Sequence, residues 1–292
     1  MPILETKRFR FEPDMKLIQA QCDAVARKNP RLKRRAEVAL RRFKAARDYV
    51  DQGDIERAFM ALREVLKDTL DVRAVELQAS CLFYFGSLAL LAGSDSMGVD
   101  LLQKAAGASR NTQLILAAHN RLMVKHLSSG QMDAVKDSAR VTEGIVTAAE
   151  RSDASVYYGA AARYNLAEMH FRQCEFSEAV PQALEALRGF EELSMDGETA
   201  KCLGILGCSR ISCGDVEQGF ADTERSLGLL KGFGDDQEMA VVFEGRAMGF
   251  LAQRRKDEAT RDLREALNLF KRLDDTEAIN TTLASLSLLE NG

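Results

Sequence analysis

Tryptophan is absent, and proline occurs only 4 times in 292 residues. So few helix-breaking residues, in a chain rich in Ala, Leu, Glu, Arg and Lys, exclude an all-β or collagen-like fold and read as all-α. No CxxC pair and no tight disulfide-framework spacing occurs among the six cysteines, Cys22, Cys81, Cys174, Cys202, Cys208 and Cys213. With no charged leader followed by an apolar stretch at the start, the expectation is a reducing compartment, cytoplasmic, with the nucleus as the alternative. Membrane-length apolar runs are missing too. The run Leu77 to Ser94 holds 18 residues without a charge, but Gln78, Ser80, Gly86, Ser87, Gly93 and Ser94 interrupt it, and about 20 apolar residues are needed to span. Motifs that carry catalysis are also lacking: there is no GxxxxGK[ST], GxGxxG, GxSxG or HExxH. Cys202, Cys208 and Cys213 are spaced by six and five residues, which sends them to different sides of a helix rather than to one metal. The expectation is a non-enzyme with no catalytic residue, metal or cofactor.

What is present is apolar content of 46% with 29% charged residues, enough to bury a large core. Charge is unevenly placed. Residues 1–50 carry 14 Lys and Arg against 6 Asp and Glu, a net +8, which leaves −12 for the remainder. The basic run centres on Arg31, Lys33, Arg34, Arg35, Arg41 and Arg42. It has no interleaved aromatics for base stacking, so it reads as an electrostatic surface rather than a nucleic-acid module.

An internal repeat organises the chain. Helical patterning breaks at Gly53, Gly93, Gly130, Cys174, Gly214 and Arg254, at spacings of 40, 37, 44, 40 and 40 residues. Five residues after each break stand Ala58, Gly98, Val135, Ala179, Gly219 and Ala259; twelve residues before those stand Ala46, Gly86, Met123, Ala167, Gly207 and Ala247; seven after them stand Val65, Ala105, Thr142, Ala186, Ser226 and Ala266. Recurring small residues let two antiparallel helices approach closely, so each unit reads as a helical hairpin. The third copy, with Met123, Val135 and Thr142, predicts a kinked or mispacked hairpin. Ser177 reads as an N-cap after the Cys174 turn, with Pro181 at the edge of the first helical turn. Residues 13–28 predict a polar helix before the repeats, and Ile279, Leu283, Leu286 and Leu289 an apolar stripe on a final one.

These positions resemble the tetratricopeptide repeat, with small residues at places eight, twenty and twenty-seven; YNLAEMHFRQCEFSEAVPQALEAL from Tyr164 is among the best copies. The period near 40 is similar to that of the extended repeats of kinesin light chains and G-protein-signalling modulators. The resemblance implies a right-handed superhelical solenoid of about six hairpins, spanning 31–70, 71–110, 111–151, 152–194, 195–233 and 234–273, between a basic N-terminal segment and capping helix over 1–30 and a C-terminal capping helix over 274–292. It also implies that places two, five, six and nine of each first helix face a ligand. The resulting partner-binding groove consists of Lys44, Arg47, Phe83, Tyr84, Asn120, Arg121, Tyr164, Asn165, Glu168 and Lys201, with Ser87, Val124, Ile205, Cys208, Glu244 and Met248 at further equivalent places. The family's clamp for a carboxyl-terminal tail needs two Asn and three basic residues; only Asn165 and Lys201 fit, with Ile205 where an Arg belongs, so a chaperone-tail receptor is not implied. The expected function is an adaptor that binds an extended or helical segment of a partner protein in a larger assembly. The rival is a regulatory sensor whose basic N-terminus docks on nucleic acid, acidic protein tails or anionic membrane. Homodimerisation is left open.

Overall fold

The computed structural model describes residues 12–13, 15–69 and 74–291. Among them stand fourteen α-helices, one short 3-10 turn and no strand. The described residues divide into two compact units, 12–149 and 150–291. The first contains α1 (Met15–Lys28), the 3-10 turn Pro30–Leu32, α2 (Lys33–Asp51), α3 (Ile55–Thr69), α4 (Val75–Leu91), α5 (Asp95–Ala108), α6 (Thr112–Ser128) and α7 (Met132–Ala148). The second contains α8 (Asp153–Arg172), α9 (Phe176–Glu192), α10 (Asp196–Ser212), α11 (Val216–Phe233), α12 (Asp236–Ala252), α13 (Lys256–Arg272) and α14 (Thr276–Asn291). Within each unit the helices pack as hairpins, α2 on α3, α4 on α5 and α6 on α7, then α8 on α9, α10 on α11 and α12 on α13.

One backbone device closes every hairpin. All six break positions take positive φ: Gly53 at 76°, Gly93 at 75°, Gly130 at 70°, Cys174 at 58°, Gly214 at 96° and Arg254 at 60°. In each, the residue after the break donates its N–H to the carbonyl five residues back, from Asp54 N to Tyr49 O at 2.9 Å through Arg255 N to Phe250 O at 2.8 Å. This left-handed stop satisfies carbonyls that the helix end leaves open. In the second unit the links between hairpins repeat the device at Ser194, Gly234 and Asp274, with φ of 54°, 67° and 54°. The α5–α6 link differs: Ser109 leaves the helix with extended backbone, φ −79° and ψ 150°, and the buried Glu76 carboxylate accepts from Ser109 Oγ and Arg110 N, both at 2.7 Å.

Small residues set the hairpin spacing. A Cβ on Gly207 would stand 2.6 Å from the carbonyl oxygen of Gly219, and a Cβ on Gly219 would stand 2.6 Å from that of Gly207. The equivalent pair in α4 and α5, Gly86 and Gly98, would meet at 3.0 Å. In the third hairpin Met123 and Val135 replace the small pair, and both are fully buried. Thr142 is buried as well, and α6 and α7 each run as one uninterrupted helix.

Several local expectations meet a different arrangement. Ser177 lies inside α9, whose N-cap is Glu175 without a side-chain cap, and Pro181 sits within that helix rather than at its edge. Ile279, Leu286 and Leu289 of α14 pack on the core formed by Ile211, Ala247, Phe250 and Leu263, while Leu283 is turned outward. Most of the charge-free run lies in α4, which is buried through Leu77, Ala79, Cys81, Phe83, Leu88 and Ala89. Among the described residues no helix is long and apolar enough to cross a membrane.

Candidate functional site

In the second unit the first helices of three successive hairpins, α8, α10 and α12, enclose a cavity of about 270 Å³. Tyr164, Glu168, Phe171 and Arg172 come from α8; Lys201, Gly204, Ile205 and Cys208 from α10; Glu238, Val241 and Val242 from α12. Glycine makes this approach work. A Cβ on Gly204 would lie 2.8 Å from Val242 Cγ2, and one on Gly245 would lie 2.9 Å from Cys208 Sγ and 3.3 Å from Phe171 Cζ. The floor is therefore aliphatic and aromatic, with Cys208 Sγ turned to the Val242 carbonyl at 3.6 Å.

Two ion pairs frame the opening. Glu168 is bonded to Arg172, one turn on, and Lys201 Nζ lies 3.8 Å from Glu238 Oε1. In each pair the carboxylate is the buried partner: Glu168 and Glu238 side chains are 7% and 4% exposed, against 42% for Arg172 and 21% for Lys201. A ligand arriving from solvent thus meets cations and an exposed Val241 above an apolar floor. Burial, reinforced by the Glu168 and Glu238 carboxylates, pushes the Tyr164 phenol well above its ordinary range, so it remains a hydroxyl. Burial also pushes the Cys208 thiol up to about 12 and the Cys202 thiol well above its usual value. Neither is a thiolate near neutrality. Among the described residues no group of three or more His, Cys, Asp and Glu side chains is arranged to hold a metal ion.

The groove residues expected from place numbers divide sharply. Tyr164, Glu168 and Lys201 share the cavity. Asn165 is fully buried beside them on α8. In the first unit Lys44 is exposed, Arg47 is half-buried and ion-paired with Glu12, and Phe83, Tyr84 and Asn120 are buried. Tyr84 meets Phe43 edge-on at 6.0 Å, and the half-buried Arg121 guanidinium lies 5.1 Å from the Phe83 ring. Tyr84 and Arg121, expected to face a ligand at place six, thus pack against neighbouring first helices. Glu244 is engaged by α14, its Oε1 accepting from Thr282 Oγ1 at 2.7 Å. The basic residues Arg31, Lys33, Arg34, Arg35, Arg41 and Arg42 are all exposed, and Arg42 is paired with Asp68 at 2.6 Å.

A feature the place numbers did not point to lies on α12. Arg246 is 4% exposed and sits between the rings of Phe220 and Phe243, at 4.8 and 5.2 Å. Its guanidinium binds Asp262, Thr223 and Glu224. Burial works to lower its pKa, and the Asp262 and Glu224 carboxylates override it and hold the value above its ordinary one. A cavity of about 670 Å³ opens beside this network. An arginine at place seven with an aspartate sixteen residues on is the only trace of it in the sequence.

No family model matches the chain, and no curated protein sequence does. Solved structures do match. They include the Cut9–Hcn1 hetero-tetramer of APC/C, at a TM-score of 0.58 and 12% identity over 93% of this chain and 46% of that one. BtubC (BKLC) from P. vanneervenii aligns at 0.56 and 18% over 76% of this chain and 90% of its own. The STAND protein PH0952 of Pyrococcus horikoshii, which has a tetratricopeptide repeat sensor, aligns at 0.60 and 12% over 97% of this chain and 44% of its own. The chain spans under half the length of the Cut9–Hcn1 and PH0952 chains.

Proposed function

From the premise that the chain has the tetratricopeptide-repeat fold, we propose that it is a non-enzymatic interaction scaffold whose α8–α10–α12 groove holds a segment of a partner protein. The observation that carries this reading is the cavity itself. Three adjacent first helices give it an apolar floor of Phe171, Ile205 and Val242 beneath two accessible cations. A volume of about 270 Å³ admits one or two apolar side chains and not a whole helix, so the bound segment anchors through individual side chains. The buried Tyr164 phenol and Cys208 thiol beside it are protonated and are not nucleophiles near neutrality.

The experiment is selection from a displayed library of random twelve-residue peptides on the full chain, followed by titration of the enriched peptides against the wild type and Ile205→Glu. Peptides that bind the wild type and lose at least tenfold against Ile205→Glu, with helix content unchanged, support the groove. Failure to enrich any peptide, or equal binding to both proteins, contradicts it.

A second reading attaches to the basic N-terminal patch. The first turn of α2 is Lys33, Arg34 and Arg35, with no acidic residue, which sets three cations at the positive end of a helix dipole. That arrangement favours an anionic partner, and its binding would fall steeply with salt.

A further inference from the structure

The helix α1 does not sit where a further repeat would put it. Second helices of hairpins pack on the first helix of their own hairpin and on that of the next: α3 on α2 and α4, α5 on α4 and α6, α9 on α8 and α10, α11 on α10 and α12. A helix standing in for the missing second helix before α2 would meet α2 alone. Instead α1 packs on both α2 and α4, the first helices of two successive hairpins. This is the first-unit counterpart of the face that α8, α10 and α12 form around the cavity.

The contacts on that face are those of a docked segment. Ile18 and Cys22, four residues apart on one side of α1, are 1% and 2% exposed and are its only buried residues. Gln21 Oε1 accepts from Glu76 N at 3.1 Å, capping a free donor in the first turn of α4. Ahead of the helix, Glu12 pairs with Arg47, a place-nine residue that the repeat pattern assigns to ligand contact. Leu17 is 40% exposed, and no acidic residue lies in the first turn to complement the dipole. A fourteen-residue helix is marginal alone, so α1 owes its helicity to the face it lies on.

We propose that α1 is a replaceable occupant of the α2–α4 face, which takes in its stead a helix of a partner protein carrying two apolar side chains four residues apart and a carboxylate six residues before the first. The link to α2 is short, Asn29 and the 3-10 turn Pro30–Leu32, so α1 returns at high effective concentration, and an outside helix binds more weakly by the fraction of time the face is open. This site lies in the other unit from the α8–α10–α12 groove and stands independently of it.

The test uses the full chain and a labelled synthetic peptide of residues 12–28. In the double variant Ile18→Asp, Cys22→Asp, which unseats α1, the peptide binds at least tenfold more tightly than to the wild type. Adding Arg47→Glu weakens it, and a peptide carrying Glu12→Lys restores the affinity. Hydrogen exchange of the unaltered protein is the companion measurement, with α1 amides exchanging at least tenfold faster than those of α2 and α4. Equal peptide binding to wild type and double variant, or exchange of α1 in step with α2 and α4, overturns the proposal and makes α1 a fixed part of the unit.

Discussion

Arg246 lays two guanidinium nitrogens on the Asp262 carboxylate, Nε on Oδ2 at 2.7 Å and Nη2 on Oδ1 at 2.8 Å. The fork geometry joins α12 to α13, while Thr223 and Glu224 tie the same guanidinium to α11. Breaking such a buried pair strands a charge away from water, so Asp262→Ala should cost about 3–5 kcal/mol. Glu224, whose side chain is 53% exposed, should cost under about 1 kcal/mol as Glu224→Ala. Urea unfolding of the two variants checks the order; equal costs would show that Asp262 does not hold the guanidinium.

Backbone strain at the hairpin turns predicts gains in stability. Cys174 and Arg254 occupy the left-handed conformation that Gly53, Gly93, Gly130 and Gly214 fill elsewhere. A side chain there crowds the following carbonyl, so Cys174→Gly and Arg254→Gly should each stabilise by about 0.5–1 kcal/mol. Gly214→Ala should lose a similar amount. Thermal melting of the three variants reads the signs directly.

The tight α10–α11 contact at Gly207 predicts a steep loss. Gly207→Ala puts a methyl 2.6 Å from a backbone carbonyl oxygen of Gly219 and the same distance from Thr223 Cγ2. Backbone cannot move aside as a flexible side chain does, so the cost should be about 1–3 kcal/mol or more. Gly228→Ala, in the same hairpin with nothing within 4 Å of its Cβ position, should be neutral to slightly stabilising, since alanine is the better helix former.

Much of this architecture was legible because it depends on residue size and on left-handed backbone, which leave marks in a single sequence. The six break positions and the small pairs of the hairpins fall into these classes. The candidate site was less legible. Phe83, Tyr84, Tyr164 and Asn165 occupy places that point toward a ligand in the repeat pattern, yet all four are buried, and burial depends on partners far off in the chain, as Tyr84 meets Phe43 and Phe83 meets Arg121. Arg246 has no local signature because its partners, Thr223, Glu224 and Asp262, are distributed over two other helices. Ser177 resembles a cap because Ser before an acidic residue is a common cap signal, whereas after the left-handed Cys174 turn the N-cap is Glu175, two residues earlier, and α9 starts at Phe176.

Protonation offers a further check. Burial raises the Glu244 carboxyl above its ordinary value, Asp275 adds to the rise, and the Thr282 hydroxyl opposes it. A carboxyl raised in the folded state favours folding when protonated, and that contribution fades as pH climbs from the ordinary value near 4.5 through the raised one. Glu244→Gln keeps an acceptor for Thr282 without the charge. The variant should therefore melt higher than the wild type at pH 8, with the gap narrowing toward pH 4. A gap that widens on acidification would contradict the assignment.

The measurement that bears most directly on the scaffold reading is hydrogen exchange of the full chain with and without a library-selected peptide. The account predicts new protection confined to residues 164–172, 201–208 and 238–242, the walls of the α8–α10–α12 cavity. Protection that leaves those three stretches unchanged and appears elsewhere would show that the groove is not the binding surface.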